Sequence, residues 1–302
     1  MIARILISTM LTAAAAHADL HVLIVGGLGG EERYETRFAE EIERLGRSAR
    51  ESAGETGSVI VVPGSEAKQA KLAESLAALK DRLSEDDELA VYLIGHGTST
   101  GRAYKFNIPG PDITADWLAE RLDAMSAKRQ VVVIATSSSG AAMEALEAPG
   151  RIVVTATKNG RERNAAWFSK YWTDAFEDPE ADTNKDERIT VQEAFAFADA
   201  KVQGFFESAS NLATEHARLS GDAAETFTLA RLGKAAELRG NPALRPFIAQ
   251  RDAVEQRIEQ LKLRKEAMDE NAYFDELETL LLELATLDVS IESLAEQEAP
   301  QP

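Results

Sequence analysis

The chain has 302 residues, 44% of them hydrophobic and 28% charged, enough apolar material for a packed core and incompatible with a wholly disordered, collagen-like or membrane-spanning body. Lys and Arg number 33 against 51 Asp and Glu, a net charge of −18 at pH 7, and such a field repels nucleic-acid phosphates and anionic lipid surfaces. Cysteine is absent, which excludes disulfides, thiolate metal sites and thiol nucleophiles together.

Residues 1–18 read as an export signal. Arg4 supplies a positive start, 5–11 an apolar run too short to span a bilayer, and Ala16-His17-Ala18 a small-x-small cleavage site. The mature chain then begins near Asp19, in a periplasmic or extracellular setting; a buried first element is the alternative. Export without cysteine is consistent, because an oxidising compartment permits disulfides without requiring them.

Beyond the signal, short Val/Ile-rich runs at 21–25, 59–62, 89–94, 131–135 and 152–155 alternate with helical patterns at 34–45, 67–83, 113–125 and 141–146. Strands apolar on both faces and separated by helices predict an α/β domain: a parallel sheet between two helical layers, with sites at the carboxyl ends of the strands. From 166 onward the pattern turns helical, with 166–176 and 190–206 flanking a polar loop and 211–232 less regular. Asn241-Pro242 ends this domain, assigned to 19–240. A helical hairpin follows over 241–295, built from helices at 246–268 and 272–294, with Asp269-Glu270-Asn271 as turn and N-cap. Leu277, Leu280, Leu284, Leu287, Ile291 and Leu294 form a coiled-coil-like stripe that closes on the preceding helix or on a protein partner. Residues 296–302 are expected to be a disordered tail. Protein partners reached through the hairpin are the expected company, with no nucleic acid and no stable membrane span.

Two motifs carry chemistry. Gly95-His96-Gly97 places a histidine at the end of a buried strand, where flanking glycines allow a sharp turn and leave the imidazole open. The next buried strand runs into Thr136-Ser137-Ser138-Ser139-Gly140, so His96 and the serines should share one sheet edge. A histidine beside a nucleophile is the minimum for acyl transfer. The alternative is that His96 ties down a loop and the serines cap a helix.

An apolar strand ending in Gly-His-Gly, then a second ending in x-Cys-x-Ser-Gly, is the pattern of caspase-like peptidases, and this chain resembles their legumain-like branch. Phe106-Asn107-Ile108-Pro109-Gly110-Pro111-Asp112 before a helix is similar to bacterial members, and 151–157 to the strand that follows. The resemblance covers roughly 19–216 and omits the hairpin. It implies a caspase-like three-layer fold with His96 as general base and Ser139-Gly140 after the nucleophile. Ser137 then stands where the family has its cysteine. A hydroxyl is far less acidic than a thiol and needs a well-aligned base, usually oriented by a third group, and no such acid is evident. Two readings follow: an interaction module that has lost peptidase chemistry, or a hydrolase using Ser137 and His96.

Gly26-Gly27-Leu28-Gly29-Gly30 follows the first strand and could cradle an anion. The resemblance implies that this loop lines the specificity pocket, with Arg33 and Arg37 as candidates for an acidic side chain and Ser139 alongside; surface ion pairing with neighbouring glutamates is the alternative. Residues 182–193 space oxygen ligands as an EF-hand calcium loop does: Asp182, Asn184, Asp186, the Arg188 carbonyl, Thr190 and Glu193. Its sixth position is Glu187, not the glycine that takes a left-handed turn without steric cost. The loop is therefore a calcium site or an acidic loop in which Asp186 or Thr190 caps the next helix. His216 reads as a lone loop histidine.

Overall fold

The protein is described by a computed structural model covering residues 19–298 apart from 55, 102, 234–237, 239, 240 and 242, so the signal at 1–18 and the last residues of the tail lie outside it. The strands are β1 (Leu20–Gly26), β2 (Ser58–Val62), β3 (Glu88–Gly95), β4 (Gly97–Thr100), β5 (Ala103–Phe106), β6 (Ile113–Thr114), β7 (Arg129–Thr136), β8 (Arg151–Thr155), β9 (Arg188–Thr190), β10 (Arg218–Ser220) and β11 (Thr228–Arg231). The helices are α1 (Glu32–Ala53), α2 (Gln69–Lys80), α3 (Ala115–Asp123), α4 (Met143–Leu146), α5 (Phe168–Asp174), α6 (Val191–Ser208), α7 (Arg245–Leu263) and α8 (Glu270–Glu298).

Six strands form the main sheet in the order β10-β8-β7-β3-β1-β2, all parallel except β10, which runs antiparallel to β8. Alternation along each strand divides the core. Val22 and Ile24 face a layer holding Phe38, Leu45 and Trp172, while Leu23 and Val25 face Leu72, Leu76 and Leu118. Helices thus cover both faces, as the unbroken apolar runs require. The chain leaves β1 for β2 on one side and returns to β3 on the other. The carboxyl ends of β1 and β3 therefore flank a topological switch point, where α/β sheets open a crevice.

The five expected strands and the helices between them are present, with ends shifted by a few residues except that α1 runs on to Ala53, well past the expected 45. Six short strands lie outside that expectation, among them β9, which pairs with β11 and falls in the 182–193 loop. β4 and β5 make a hairpin that β6 extends, and β10 and β11 fall within the irregular 211–232 stretch. These strands have only two to four residues, too short for a periodic signal.

α7 and α8 pack against each other as an antiparallel hairpin. Leu280 and Tyr273 bury with Val254, Ile258 and Leu261, while Ile291 buries with Leu244 and Ile248. Asp269 caps α8, its Oδ1 accepting from the amides of Asn271 and Ala272 at 3.1 and 3.2 Å. α8 continues through Glu298, so the expected tail from 296 is corrected at its start: Glu296, Gln297 and Glu298 are good helix formers, and the first proline comes at 300.

The hairpin is fastened to the α/β layers by charge. Asp252 of α7 meets Arg231 of β11 at 2.9 Å, and Glu255 meets Arg188 of β9 at 3.0 Å, with little solvent at either pair. Beneath them lies a third pair, Glu88 with Arg129 at 2.9 Å. Burial pushes the Glu88 carboxyl above its ordinary pKa, opposed by Arg129 and Arg231. Breaking one side of a buried pair leaves an uncompensated charge, so Asp252→Ala should lower stability by about 2–3 kcal/mol in urea unfolding. A change below about 0.5 kcal/mol would place the fastening elsewhere.

Candidate active site

The crevice between β1 and β3 is closed by glycine packing and two histidine-loop contacts. Gly27 donates its amide to Ile94 O at 2.8 Å, and Leu28 donates to Asn107 O at 2.9 Å. Gly95 lies against Gly27, where a Cβ on Gly95 would sit 2.9 Å from the Gly27 Cα, and its φ of +154° already disfavours a side chain. The first turn of α1 and the residue before it carry Glu31, Glu32 and Glu35. Two of the loop amides are thus engaged, and carboxylates rather than cations stand at the helix start.

His96 turns out of this junction. Its Nε2 lies 3.0 Å from the Gly29 carbonyl oxygen. A carbonyl only accepts, so Nε2 carries the proton and Nδ1 is the nitrogen left for base chemistry. Tyr34 and Phe38 of α1 meet the ring edge-on, at centroid distances of 5.0 and 5.3 Å. Burial lowers the imidazole pKa below its ordinary value, Arg37 adds to that, and the Gly29 bond and Glu31 oppose it. His96 is accordingly neutral at pH 7.

β7 delivers the serines to the same edge, with Thr136 level with Gly95 across the β3–β7 ladder. Ser137 is only 2% exposed. Its hydroxyl donates to Gly97 O at 2.9 Å and accepts from Gly97 N at 3.2 Å. The single hydroxyl proton is thereby spent on a backbone carbonyl, and no hydrogen bond joins Ser137 to His96. The two residues are brought together in the fold, since Ser137 grips the residue next to His96, but not as a reacting pair. Gly97 is obligatory here, because a Cβ would stand 2.6 Å from Ser137 O.

The rest of the cluster is equally enclosed. Thr136 Oγ1 pairs with the Tyr104 hydroxyl at 2.7 Å. Ser138 adopts a left-handed φ of +56° and donates its amide to Glu162 O at 2.7 Å. Ser139, fully buried, accepts from the Thr157 amide at 3.1 Å, and Gly140 donates to Thr157 Oγ1 at 3.0 Å. Ser139 therefore holds the 157–159 turn and does not line an open pocket.

The two arginines part company. Arg33 is exposed and paired with Glu31 at 2.9 Å. Arg37 is enclosed: it stacks near Tyr34, Phe38 and Trp167, donates to Ala166 O at 2.8 Å, and faces Glu41 at 3.4 Å. A cavity of about 620 Å³ opens nearby between α1 and the edge strand β2, walled by Gly27, Phe38, Ile42, Val61 and Pro63. Neither His96, Ser137 nor either arginine lines it.

Sequence reasoning gave no signal for two buried carboxyls beside Arg37. Burial raises Glu41 to about 7, with Arg37 opposing, and raises Glu215 to about 7, with the Trp167 amide opposing through bonds of 2.8 and 2.9 Å. Only their tertiary placement distinguishes them from the other glutamates. His216, next in line, is a loop histidine paired with Glu162 at 2.6 Å.

Loop 182–193 has the outline expected of it. Glu187 takes a φ of +59°, the left-handed conformation its position demands, and Thr190 with Glu193 forms a capping box at the start of α6. Its side chains also bond within the loop. Asp182 accepts from the amides of Asp186 and Glu187, Glu193 from Thr183 and Thr190, and Asp186 is held by the Arg188 guanidinium at 2.7 Å. Asn184 donates to Asp186 at 3.1 Å. Among the described residues no group of three or more His, Asp or Glu side chains is placed to hold a metal ion.

The family model "Peptidase C13 family" matches residues 58–225, from β2 to just past β10. No curated protein sequence matches the chain. Among solved structures, caspase-1 from Spodoptera frugiperda aligns at 12% identity over 72% of this chain and 92% of its own, with a TM-score of 0.47. The Drosophila initiator caspase Dronc aligns at 9% identity over 67% of this chain and 79% of its own, with a TM-score of 0.42. A Geobacter sulfurreducens protein aligns at 9% identity over 72% of this chain and all of its own, with a TM-score of 0.48.

The buried carboxyls make stability depend on pH. Glu41 has a folded-state pKa of about 7 against an ordinary 4.5, so its contribution is full below the ordinary value and is lost as pH rises through 7. Between pH 5 and 8 the protein should lose more unfolding free energy than Glu41→Gln, by on the order of 2 kcal/mol. Parallel curves for the two proteins would mean that Glu41 titrates normally.

Proposed function

Because the chain belongs to the peptidase C13 family yet contains no cysteine, we propose that it is a member without peptidase activity, kept as a protein-interaction module. The observation that supports this most directly is the Ser137 hydroxyl, 2% exposed and donating to the Gly97 carbonyl. An acyl-transfer nucleophile must present its oxygen to substrate and its proton to a base within hydrogen-bond reach. Here the oxygen is covered and the proton points away from His96. His96 in turn gives its Nε2 proton to Gly29, which ties down the loop after β1.

A second reading is a hydrolase using Ser137 and His96, supported by their meeting at one sheet edge. It requires the hydroxyl to leave Gly97 and the site to open.

Export belongs to the same proposal. The Asp19 nitrogen lies 3.0 Å from Asp87 Oδ1, and a cut after Ala18 would make that nitrogen an ammonium held by a carboxylate. Among the described residues no helix is long and apolar enough to cross a membrane.

Incubation with a fluorophosphonate separates the two readings. The inactive module should remain unmodified under conditions that saturate a control serine hydrolase. Labelling that disappears in Ser137→Ala would establish the hydrolase.

A further inference from the structure

Helix α8 has two apolar faces, and only one is used. Leu277, Leu280, Leu284, Leu287 and Ile291 turn toward α7. Phe274, Leu281, Leu282 and Val289 turn away and are 51, 48, 63 and 67% exposed. With exposed Ala285 they fall within about a quarter of the helix circumference, at 100° per residue. The stripe from Phe274 to Val289 is about 22 Å long at 1.5 Å per residue, roughly four helical turns. Apart from Leu28 and Leu212, these four are all the exposed large hydrophobic residues among those described, so the concentration on one helix is a feature of α8 and not of the surface at large.

The charges around the stripe are of one sign. Glu270–Glu298 contains nine carboxylates and no Lys, Arg or His. Asp275 and Glu278 are exposed beside the apolar residues. Cations of α7 and its C-cap are engaged with carboxylates: Arg257 with Glu283 at 3.0 Å, Arg264 with Glu276 at 3.3 Å, and Arg251 with Asp288 at 2.8 Å and Glu255 at 3.1 Å. A second copy would lay carboxylates against carboxylates, on a chain already at −18. An anionic phospholipid surface or nucleic acid would meet the same repulsion.

We propose that the outer face of α8 docks a basic amphipathic helix of another protein, with Leu- or Ile-type anchors on Phe274, Leu281, Leu282 and Val289 and Lys or Arg flanks toward the α8 carboxylates. The mode is helix against helix, with apolar anchors supplying the hold and complementary charge the selection. This deepens the interaction reading above by naming the surface and the chemistry of its partner, and it rests on that reading.

The test uses the full chain and three synthetic helical peptides of 18 residues. The first carries a leucine stripe with Lys/Arg flanks, the second the same stripe with Glu flanks, and the third the composition of the first with its leucines dispersed. Fluorescence anisotropy should show binding of the first alone, weakened by added salt. The exposed double variant Leu281→Ser with Leu282→Ser should weaken it about tenfold or more, as loss of interface anchors does, while circular dichroism stays unchanged. Equal binding of the dispersed or Glu-flanked peptide overturns the proposal, and so does binding of none. Sedimentation of the free chain as a dimer that the double variant dissolves would assign the face to a second copy. Fluorophosphonate labelling of Ser137 would remove the inactive reading and leave this result standing; failure of the peptides would leave Ser137 as it is.

Discussion

A single buried hydroxyl holds the catalytic edge of this fold shut. Ser137 donates to the Gly97 carbonyl and accepts from its amide, and so joins the end of β7 to the start of β4, on the far side of His96 from β3. Removing it would leave a buried donor and acceptor without partners, at about 1–3 kcal/mol. The surrounding glycines exist to permit that closeness: Gly97 packs on the Ser137 carbonyl, and Gly95 on Gly27. With Ser137 closed and His96 bonded to Gly29, the crevice that the strand order creates between β1 and β3 is filled by the protein itself. At this edge the backbone of the two motifs is tied together by its own side chains.

Charge does the complementary work at the other end of the molecule. Several of the chain's cations sit at joints between elements. Arg188 and Arg231 fasten α7 to the small β9–β11 sheet, and Arg37 sits between Glu41, Trp167 and the Ala166 carbonyl where α1 meets α5. α8 carries nine carboxylates and no cation, beside an apolar face that no part of the described chain covers. The covered Ser137 hydroxyl and the open helix face are the two observations on which the interaction proposal rests.

How much of this was legible follows from the range of each interaction. The unbroken Val/Ile runs, buried in all but the edge strand β2, announce the parallel sheet, and the leucine spacing in α8 announces its packing on α7. The meeting of His96 with the serines at one edge followed from strand context and from the resemblance of both motifs to a known family. The direction of the Ser137 hydroxyl did not, because it depends on a carbonyl forty positions away in the chain. Arg37 looked like a pocket residue in sequence, and only the fold shows it walled in by aromatic rings. The 182–193 loop gave correct spacing and a correct left-handed turn at Glu187, yet the partner that engages Asp186, the Arg188 guanidinium, was read only as a backbone ligand.

The closed nucleophile position is tested most directly by putting a thiol there. The chain has no cysteine, so Ser137→Cys reports from one site alone. Its alkylation by iodoacetamide should be compared for the native protein and the same chain unfolded in urea, at pH 7.5. A thiol buried as Ser137 is, and with no imidazole hydrogen bond to favour its thiolate, should react far more slowly in the native protein. Native alkylation faster than that of the unfolded chain would show an open site with an activating His96, and would contradict the account.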